Sequence, residues 1–122
     1  MLDLDRFKTV NDELGHAAGD RALAKAGEVI QNSLRARDRS MCARIGGDEF
    51  AVLLPETSLD EAMQAAERIR SRTADAMAKV HPECGASVGV AWAEAGASPA
   101  NMMASADRAL YRAKLERGRV SS

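Results

Sequence analysis

The chain has 122 residues, of which 46% are hydrophobic and only 3% aromatic, and its formal net charge is −1. This length predicts one domain with an aliphatic, alanine-rich core, and the near-neutral charge argues against a binder of polymeric nucleic acid, which would carry a basic surplus. The sequence offers no apolar run long enough to span a bilayer, no signal peptide and no metal-ligand spacing at Cys42 and Cys84, so we expect no membrane contact and free thiols in a reducing cytoplasm.

The first part of the chain predicts a strand and two helices. Met1 to Asp3 has the character of a strand end. Phe7, Val10 and Leu14 recur at helical spacing and predict a short helix that buries this face. We expect a loop over residues 15–20 and then a longer helix. The inward stripe of that helix is Leu23, Ala26, Ile30 and Leu34.

A hairpin with two carboxylates is the most informative feature of the middle of the chain. Gly46-Gly47 lies between apolar runs and predicts a two-residue turn, because glycine takes a positive φ without steric cost. Asp48 and Glu49 then lie at the mouth of a hairpin expected over Ala43 to Leu54. Such a pair beside a turn can equally be a solvated strand end. A second acidic stretch, Asp3-Leu4-Asp5, favours a ligand site.

The second half predicts a helix, a strand and a helix. Ser58 and Glu61 form a capping box at the start of the third helix. Ser87 to Trp92 has the pattern of a strand, with small residues such as Gly89 on the face where a helix could approach closely. Ser98-Pro99 supplies an N-cap and a first-turn proline for the last helix. The inward stripes of the two helices are Ala62, Ala66, Ile69 and Thr73, and then Met103, Ala106, Leu110 and Ala113.

The order β-α-α-β-β-α-β-α predicts an α/β sandwich of the α+β kind. We expect a mixed central β-sheet flanked by helices, with a βαββαβ ferredoxin-like, palm-type nucleotide cyclase core. In that layout the first strand lies beside the hairpin, so Asp3 and Asp48 converge. Carboxylates at adjacent strand ends form a hard oxygen site suited to Mg²⁺ or Mn²⁺, and such a site fits phosphoryl transfer. Lys8, one helical turn further on, is placed to meet a phosphate.

Five motifs run in order over nearly the whole chain. They are Asp3-Leu4-Asp5-Arg6-Phe7-Lys8-Thr9-Val10-Asn11-Asp12, Gly15-His16 with Gly19-Asp20, Arg44-Ile45-Gly46-Gly47-Asp48-Glu49-Phe50, Ser87-Val88-Gly89-Val90-Ala91, and Ala106-Asp107-Arg108-Ala109-Leu110-Tyr111-Arg112-Ala113-Lys114. Together they make the chain resemble a GGDEF domain, the catalytic module of bacterial diguanylate cyclases. By this resemblance residues 1–122 are a single cytoplasmic GGDEF domain without the N-terminal segment that family members normally carry.

The resemblance implies a condensation of two GTP molecules to cyclic di-GMP and two pyrophosphates. Two domains, each holding one GTP, would meet as a homodimer, and the 3′-hydroxyl of one nucleotide would attack the α-phosphorus of the other. The implied ligands of Mg²⁺ or Mn²⁺ are Asp3, the Leu4 carbonyl, Asp48 and Glu49. Asp3, Asp48 and Glu49 are the implied catalytic residues, and Glu49 would help to deprotonate the 3′-hydroxyl.

The resemblance also assigns the substrate contacts. Asn11 and Asp20 match the positions that read guanine, and a carboxylate and an amide can satisfy its N–H groups and acceptors. The other substrate positions are Arg6 and Phe7 through their backbone amides, Lys8 and Lys114 on the β- and γ-phosphates, and Gly46 and Gly47 in the hairpin. The spacing from Lys114 to the following arginine is one residue longer than usual in the family, so either Arg117 or Arg119 could take the remaining phosphate role.

A second site is indicated by the R-x-x-D pattern of Arg35 and Asp38, which many family members use to bind cyclic di-GMP as an inhibitor, with Arg68 matching the position of a further arginine. The alternative is an ordinary solvated pair. For the domain as a whole, the alternatives to a cyclase are a weakly active or inactive module that binds cyclic di-GMP or GTP, and another palm-type nucleotidyl transferase. We expect an upstream sensor domain in the full protein.

Overall fold

The computed structural model describes residues 1–34 and 39–122, and these residues form a five-stranded mixed sheet with four helices. The elements in chain order are β1 (Leu2–Asp5), α1 (Phe7–Leu14), α2 (His16–Ser33), β2 (Met41–Arg44), β3 (Glu49–Leu53), α3 (Leu59–Ala78), β4 (Gly85–Gly89), α4 (Pro99–Glu116) and β5 (Val120–Ser121).

The sheet has the order β2-β3-β1-β4-β5. The central strand β1 is antiparallel to both neighbours, and β4 pairs in parallel with β5. Asp3 lies opposite Glu49 on one side and Ser87 on the other. The α+β class and the mixed sheet are therefore confirmed, and the predicted position of β1 beside the hairpin is correct. The short strand β5 was not predicted.

The two faces of the sheet differ because side chains alternate along β1. Leu2 and Leu4 are almost completely buried on the face covered by α2 and α3, where the main hydrophobic cluster lies. Asp3 and Asp5 point to the opposite face, which α4 covers over β1, β4 and β5. One face thus supplies the core and the other supplies charged groups.

Helix α4 approaches the sheet very closely at Gly89. A Cβ on this residue would overlap the backbone of Ala106 and lie 2.7 Å from the Leu110 Cα. The expectation that small residues in β4 permit close helix packing is confirmed. The buried stripe of α4 consists of Ala106, Ala109, Leu110 and Ala113.

The predicted helix boundaries are confirmed at two capped N-termini. The Ser58 hydroxyl accepts a hydrogen bond from the Glu61 amide at 3.2 Å, and the Ser98 hydroxyl accepts one from the Asn101 amide at 3.4 Å.

All four predicted inward residues of α3 are buried. Three of the four in α2 are buried, and the fourth, Leu34, follows the end of that helix in extended backbone and packs against the core.

The predicted two-residue turn is wrong. Residues 45–48 separate β2 from β3, and the Ile45 amide donates to the Glu49 carbonyl at 3.0 Å. Neither Gly46 nor Gly47 has a positive φ. A four-residue connection does not require two residues in the left-handed conformation. The glycines are therefore not needed here for the positive φ values that a two-residue turn would impose.

Four further expectations are corrected. The loop predicted over residues 15–20 is only Gly15, because α2 begins at His16. Leu14 and Met103 were predicted to face inward but are 48% and 42% exposed, since each lies near a helix end beyond the edge of the core. The strand predicted to reach Trp92 ends at Gly89, and the Trp92 indole N–H donates to the Thr57 carbonyl at 3.0 Å.

Candidate active site

The centre of the site is an ion-pair cluster on the α4 side of β1. The Lys114 ammonium lies 3.0 Å from Asp3 Oδ2 and 3.3 Å from Asp5 Oδ1. Asp5 is buried, whereas the Asp3 and Lys114 side chains are 14% and 35% exposed. The Asp3–Lys114 pair is therefore reachable by a small ligand, with Asp5 behind it.

The protonation of this cluster is set by burial and by neighbouring charges. Burial raises the pKa of Asp3, and repulsion from Asp48 adds to this, so the pKa reaches about 6 despite the opposing effect of Lys114. Burial alone would lower the pKa of Lys114, but Asp3 and Asp5 together raise it above its usual value. The lysine is a permanent cation, while Asp3 retains a proton more readily than an ordinary aspartate.

The structure brings Asp48 to Asp3 but turns Glu49 elsewhere. The Leu4 amide donates to the Asp48 carbonyl at 3.2 Å, which fixes the end of the hairpin against β1. The Glu49 carboxylate folds over the turn, so that a Cβ on Gly46 would lie 3.1 Å from Glu49 Oε2. Within residues 1–34 and 39–122, no group of three or more carboxylate, imidazole or thiol side chains is close enough to hold a metal ion.

The donor set nevertheless fits one hard cation at Asp3. The Asp3 Oδ1 atom is buried and has no hydrogen-bond partner among the described residues. An unpaired buried carboxylate oxygen with a second carboxylate beside it is the arrangement that Mg²⁺ or Mn²⁺ stabilises. Asp3 and Asp48 are the side chains that could hold it.

The predicted base-reading residues lie on the first two helices. Asn11 is half-buried on α1, and its amide lies so close to Gly19 that a Cβ there would overlap it. The Asp20 side chain follows directly on α2 and is exposed. Gly19 therefore lets α2 pack tightly against α1 and brings Asp20 to the same end of the helix pair as Asn11.

The N-terminus of α1 follows β1 immediately. Arg6 is the N-cap residue with a φ of 56°, and its carbonyl accepts from the Thr9 amide at 3.0 Å. Phe7 is buried and Lys8 is exposed. This tight junction places the amides of Arg6 and Phe7 three and four residues after Asp3.

The segment after Lys114 leaves both candidate arginines on the surface. Arg117 ends α4 with a φ of 47°, and Arg119 pairs with Glu116 at 2.9 Å between Nε and Oε2. The side chains of Arg119 and Glu116 are 67% and 61% exposed, so this pair is weak and can open.

The second predicted site is only partly described. Arg35 and Asp38 lie outside the described residues. Arg68 lies on the wall of a cavity of about 580 Å³ between the end of α2 and the start of α3. Its Nε and Nη2 atoms donate to the Ser33 carbonyl at 3.3 and 3.2 Å, so the guanidinium caps the C-terminus of α2.

Sequence reasoning missed Asp5 and Ser87 as members of the site. Ser87 is fully buried and donates to the Asp5 carboxylate, with distances of 2.8 and 2.9 Å to its two oxygens. The available signal was the spacing of Asp3 and Asp5, which puts both on one face of a strand.

No helix in the described part of the chain is long and apolar enough to cross a membrane.

The family profile described as "Diguanylate cyclase, GGDEF domain" matches residues 1–119. The chain is 40% identical over 114 residues to the diguanylate cyclase DgcM of Escherichia coli K12, covering 93% of this chain and 27% of DgcM. The chain thus spans about a quarter of the length of that curated relative.

Solved structures with the same fold include two GGDEF-type domains. The active GGEEF domain of a diguanylate cyclase from Vibrio cholerae has a TM-score of 0.83 at 31% identity, covering 98% of this chain and 78% of that one. The GGDEF domain of DgcB from Caulobacter crescentus, in complex with c-di-GMP, has a TM-score of 0.87 at 32% identity, covering 98% and 73%.

Proposed function

The chain belongs to the GGDEF family, and from that premise we propose that it is a diguanylate cyclase domain that condenses two GTP molecules into cyclic di-GMP and two pyrophosphates. The observation that carries this proposal is the cluster in which Asp48, from the turn before β3, and Lys114, from α4, meet Asp3 on the central strand, next to the start of α1. Two carboxylates and a lysine at this junction suit a nucleoside triphosphate with its cation.

The unpartnered Asp3 oxygen supports a divalent cation as cofactor. Asp3, Asp48 and the Leu4 carbonyl are the proposed ligands, and Glu49 joins them if its side chain turns from Gly46 toward β1. Bound Mg²⁺ or Mn²⁺ would neutralise charge on the phosphates and polarise the α-phosphorus.

The chain's own residues then bind and orient the nucleotide. Lys8 and Lys114 neutralise the β- and γ-phosphates, and the amides of Arg6 and Phe7 add donors at the positive end of α1. The Asp20 carboxylate accepts from the N–H groups of guanine, and the Asn11 amide both donates to and accepts from the guanine edge. Arg119 or Arg117 adds a further phosphate contact.

Catalysis requires a second copy of the domain, because one nucleotide supplies the 3′-hydroxyl and the other supplies the α-phosphorus. Glu49 pairs with Asp3 across β1 and β3, and in this mechanism its carboxylate would turn from Gly46 toward β1 to accept the hydroxyl proton. Gly46 and Gly47 leave the hairpin without side chains that would obstruct the approach of the second nucleotide. We further propose a bacterial cytoplasmic setting, with a sensor domain upstream that controls dimerisation.

The direct test is incubation with GTP and Mg²⁺, followed by chromatography of the products. We expect cyclic di-GMP and pyrophosphate from the parent chain, and a loss of at least about 100-fold in turnover for Asp48→Asn. Asp75→Asn, on the exposed face of α3, is the matched control and should retain activity. Full GTP turnover by Asp48→Asn would overturn the assignment.

The alternative is a module that binds cyclic di-GMP or GTP with little turnover. The position of the Glu49 carboxylate over Gly46 favours it, because a third carboxylate is then absent from the pair formed by Asp3 and Asp48. A calorimetric titration with GTP beside the product assay separates the two functions: saturable GTP binding without product formation would establish the binding module.

For the inhibitory site, we propose that cyclic di-GMP binds near Arg35, Asp38 and Arg68. The cavity beside Arg68 supports a ligand there, and arginine can donate two hydrogen bonds to the O6 and N7 atoms of guanine. Calorimetry should show that Arg35→Ala weakens cyclic di-GMP binding by about tenfold or more. Unchanged binding means that the product occupies another site.

A further inference from the structure

A buried polar cluster links three separate parts of the chain behind Lys114. Asp5 at the end of β1 is 6% exposed, and Ser87 in the middle of β4 is fully buried. The Ser87 hydroxyl lies 2.8 and 2.9 Å from the two oxygens of the Asp5 carboxylate. A buried carboxylate is costly unless several donors satisfy it, and here a hydroxyl, an amide and an ammonium do so.

The amide in this cluster belongs to the turn between α4 and β5. The Gly118 N–H lies 3.2 Å from Asp5 Oδ2 and 3.1 Å from Ser87 Oγ. Gly118 has a φ of 64°, a left-handed conformation that glycine adopts without strain. Gly118, between Arg117 and Arg119, therefore fixes this turn to β1 and β4.

The ammonium in the cluster is that of Lys114, one helical turn before Gly118. It is shared between Asp5 at 3.3 Å and Asp3 at 3.0 Å. If Asp3 binds a cation, it can no longer be the principal partner of the lysine. Asp5, held by Ser87 and Gly118, remains to orient the ammonium.

We propose that Asp5 and Ser87 are positioning residues, which hold the Lys114 ammonium and the turn carrying Arg117 and Arg119 where a nucleotide's terminal phosphates bind. This inference rests on the proposed function. It adds Asp5 and Ser87 to the site as residues that act through Lys114 and the turn and do not contact the substrate. Its alternative is a purely structural role, in which the cluster stabilises the fold without affecting phosphate binding.

The test compares two nucleotides by calorimetry in the presence of Mg²⁺. The first is 3′-deoxy-GTP, which lacks the attacking hydroxyl and so is not consumed, and the second is GMP, which lacks the β- and γ-phosphates. Asp5→Asn should weaken 3′-deoxy-GTP binding about tenfold and change GMP binding by less than about twofold. The control Asp75→Asn should change neither.

A double-mutant cycle shows whether Asp5 acts through Lys114. In a Lys114→Met background, Asp5→Asn should cost less than about twofold in 3′-deoxy-GTP affinity, because the group that it positions is gone. Equal losses for 3′-deoxy-GTP and GMP, or fully additive losses in the cycle, would overturn the positioning role. Failure of the parent chain to bind 3′-deoxy-GTP would overturn the proposed function as well.

A second variant covers the case in which Asp5→Asn does not fold. Ser87→Ala keeps the Asp5 charge and removes one of its donors, so we expect a loss of about threefold for 3′-deoxy-GTP, again with little change for GMP. Ser87→Ala with unchanged affinity for both nucleotides would contradict the proposal.

Discussion

Asp3 has a side chain that is 14% exposed, and one of its carboxylate oxygens is buried without a partner in the described part of the chain. Its ion pair with Lys114 does not compensate for this burial, since its pKa is raised from 3.8 to about 6. Ionised Asp3 thus lowers the free energy of unfolding when no cation is bound. Residues that bind ligands commonly carry such a cost.

The cost at Asp3 can be measured from its pH dependence. Between pH 3.8 and about 6 the folded chain binds more protons at Asp3 than the unfolded chain does, so the free energy of unfolding falls as the pH rises through this range. Without divalent metal at pH 7.5, Asp3→Asn should therefore be more stable than the parent by about 2–3 kcal/mol, because one pKa unit corresponds to about 1.4 kcal/mol.

Urea denaturation of both chains at pH 4 and at pH 7.5 tests this prediction. The difference in stability should shrink at pH 4, where Asp3 is largely protonated in the folded chain. Asp75→Asn is the control for a change of surface charge. A variant that is less stable than the parent at pH 7.5 would show that the pair with Lys114 outweighs burial.

At the level of elements, the contact between α4 and β4 tolerates no added atom. Gly89→Ala would force a Cβ into the backbone of α4 at Ala106 and Leu110, and backbone cannot move aside as a flexible side chain can. We expect a loss of about 3 kcal/mol or more in the free energy of unfolding, measured by urea denaturation. Gly47→Ala is the matched control, because a Cβ there meets nothing within 4 Å and should cost less than about 1 kcal/mol. A loss below about 1 kcal/mol at Gly89 would mean that α4 can shift along the sheet.

Helix α1 depends on contacts outside itself. It has eight residues, too few for a stable isolated helix. Phe7 and Val10 anchor it in the core, and at its other end Glu13 pairs with His81, in the segment before β4. The His81 Nδ1 accepts from the Glu83 amide at 3.1 Å, so Nε2 carries the proton that faces Glu13. The helix that carries Lys8 and Asn11 is thereby fixed at both ends.

For the whole molecule, the sequence predicts the parts that depend on local periodicity and leaves out those that depend on register. The inward stripe of α3 follows from the spacing of its apolar residues, and the starts of α3 and α4 follow from their N-cap residues. Both signals are local in the sequence. The proximity of Asp3 and Asp48 could be predicted because the fold class puts β1 beside the hairpin. The contact between Asp5 and Ser87 could not, because these residues are 82 positions apart and only the pairing of β1 with β4 brings them together.

The same limit explains the errors at Gly46-Gly47 and at residues 15–20. A glycine pair is compatible with more than one turn length, and the fold chooses the length through the pairing of β3 with β1. In the second case, α2 begins at His16 and Gly19 packs tightly against Asn11 of α1, and this contact between two helices is not revealed by composition alone.

The contact of Arg68 with the Ser33 carbonyl couples ligand binding at Arg68 to the C-terminal end of α2. A ligand that recruits this guanidinium must compete with the helix terminus for it, so part of the ligand's binding free energy is consumed in uncapping α2. If the last turn of α2 frays when it loses this cap, a ligand that binds Arg68 and a contact that needs that turn intact would oppose each other by thermodynamic linkage.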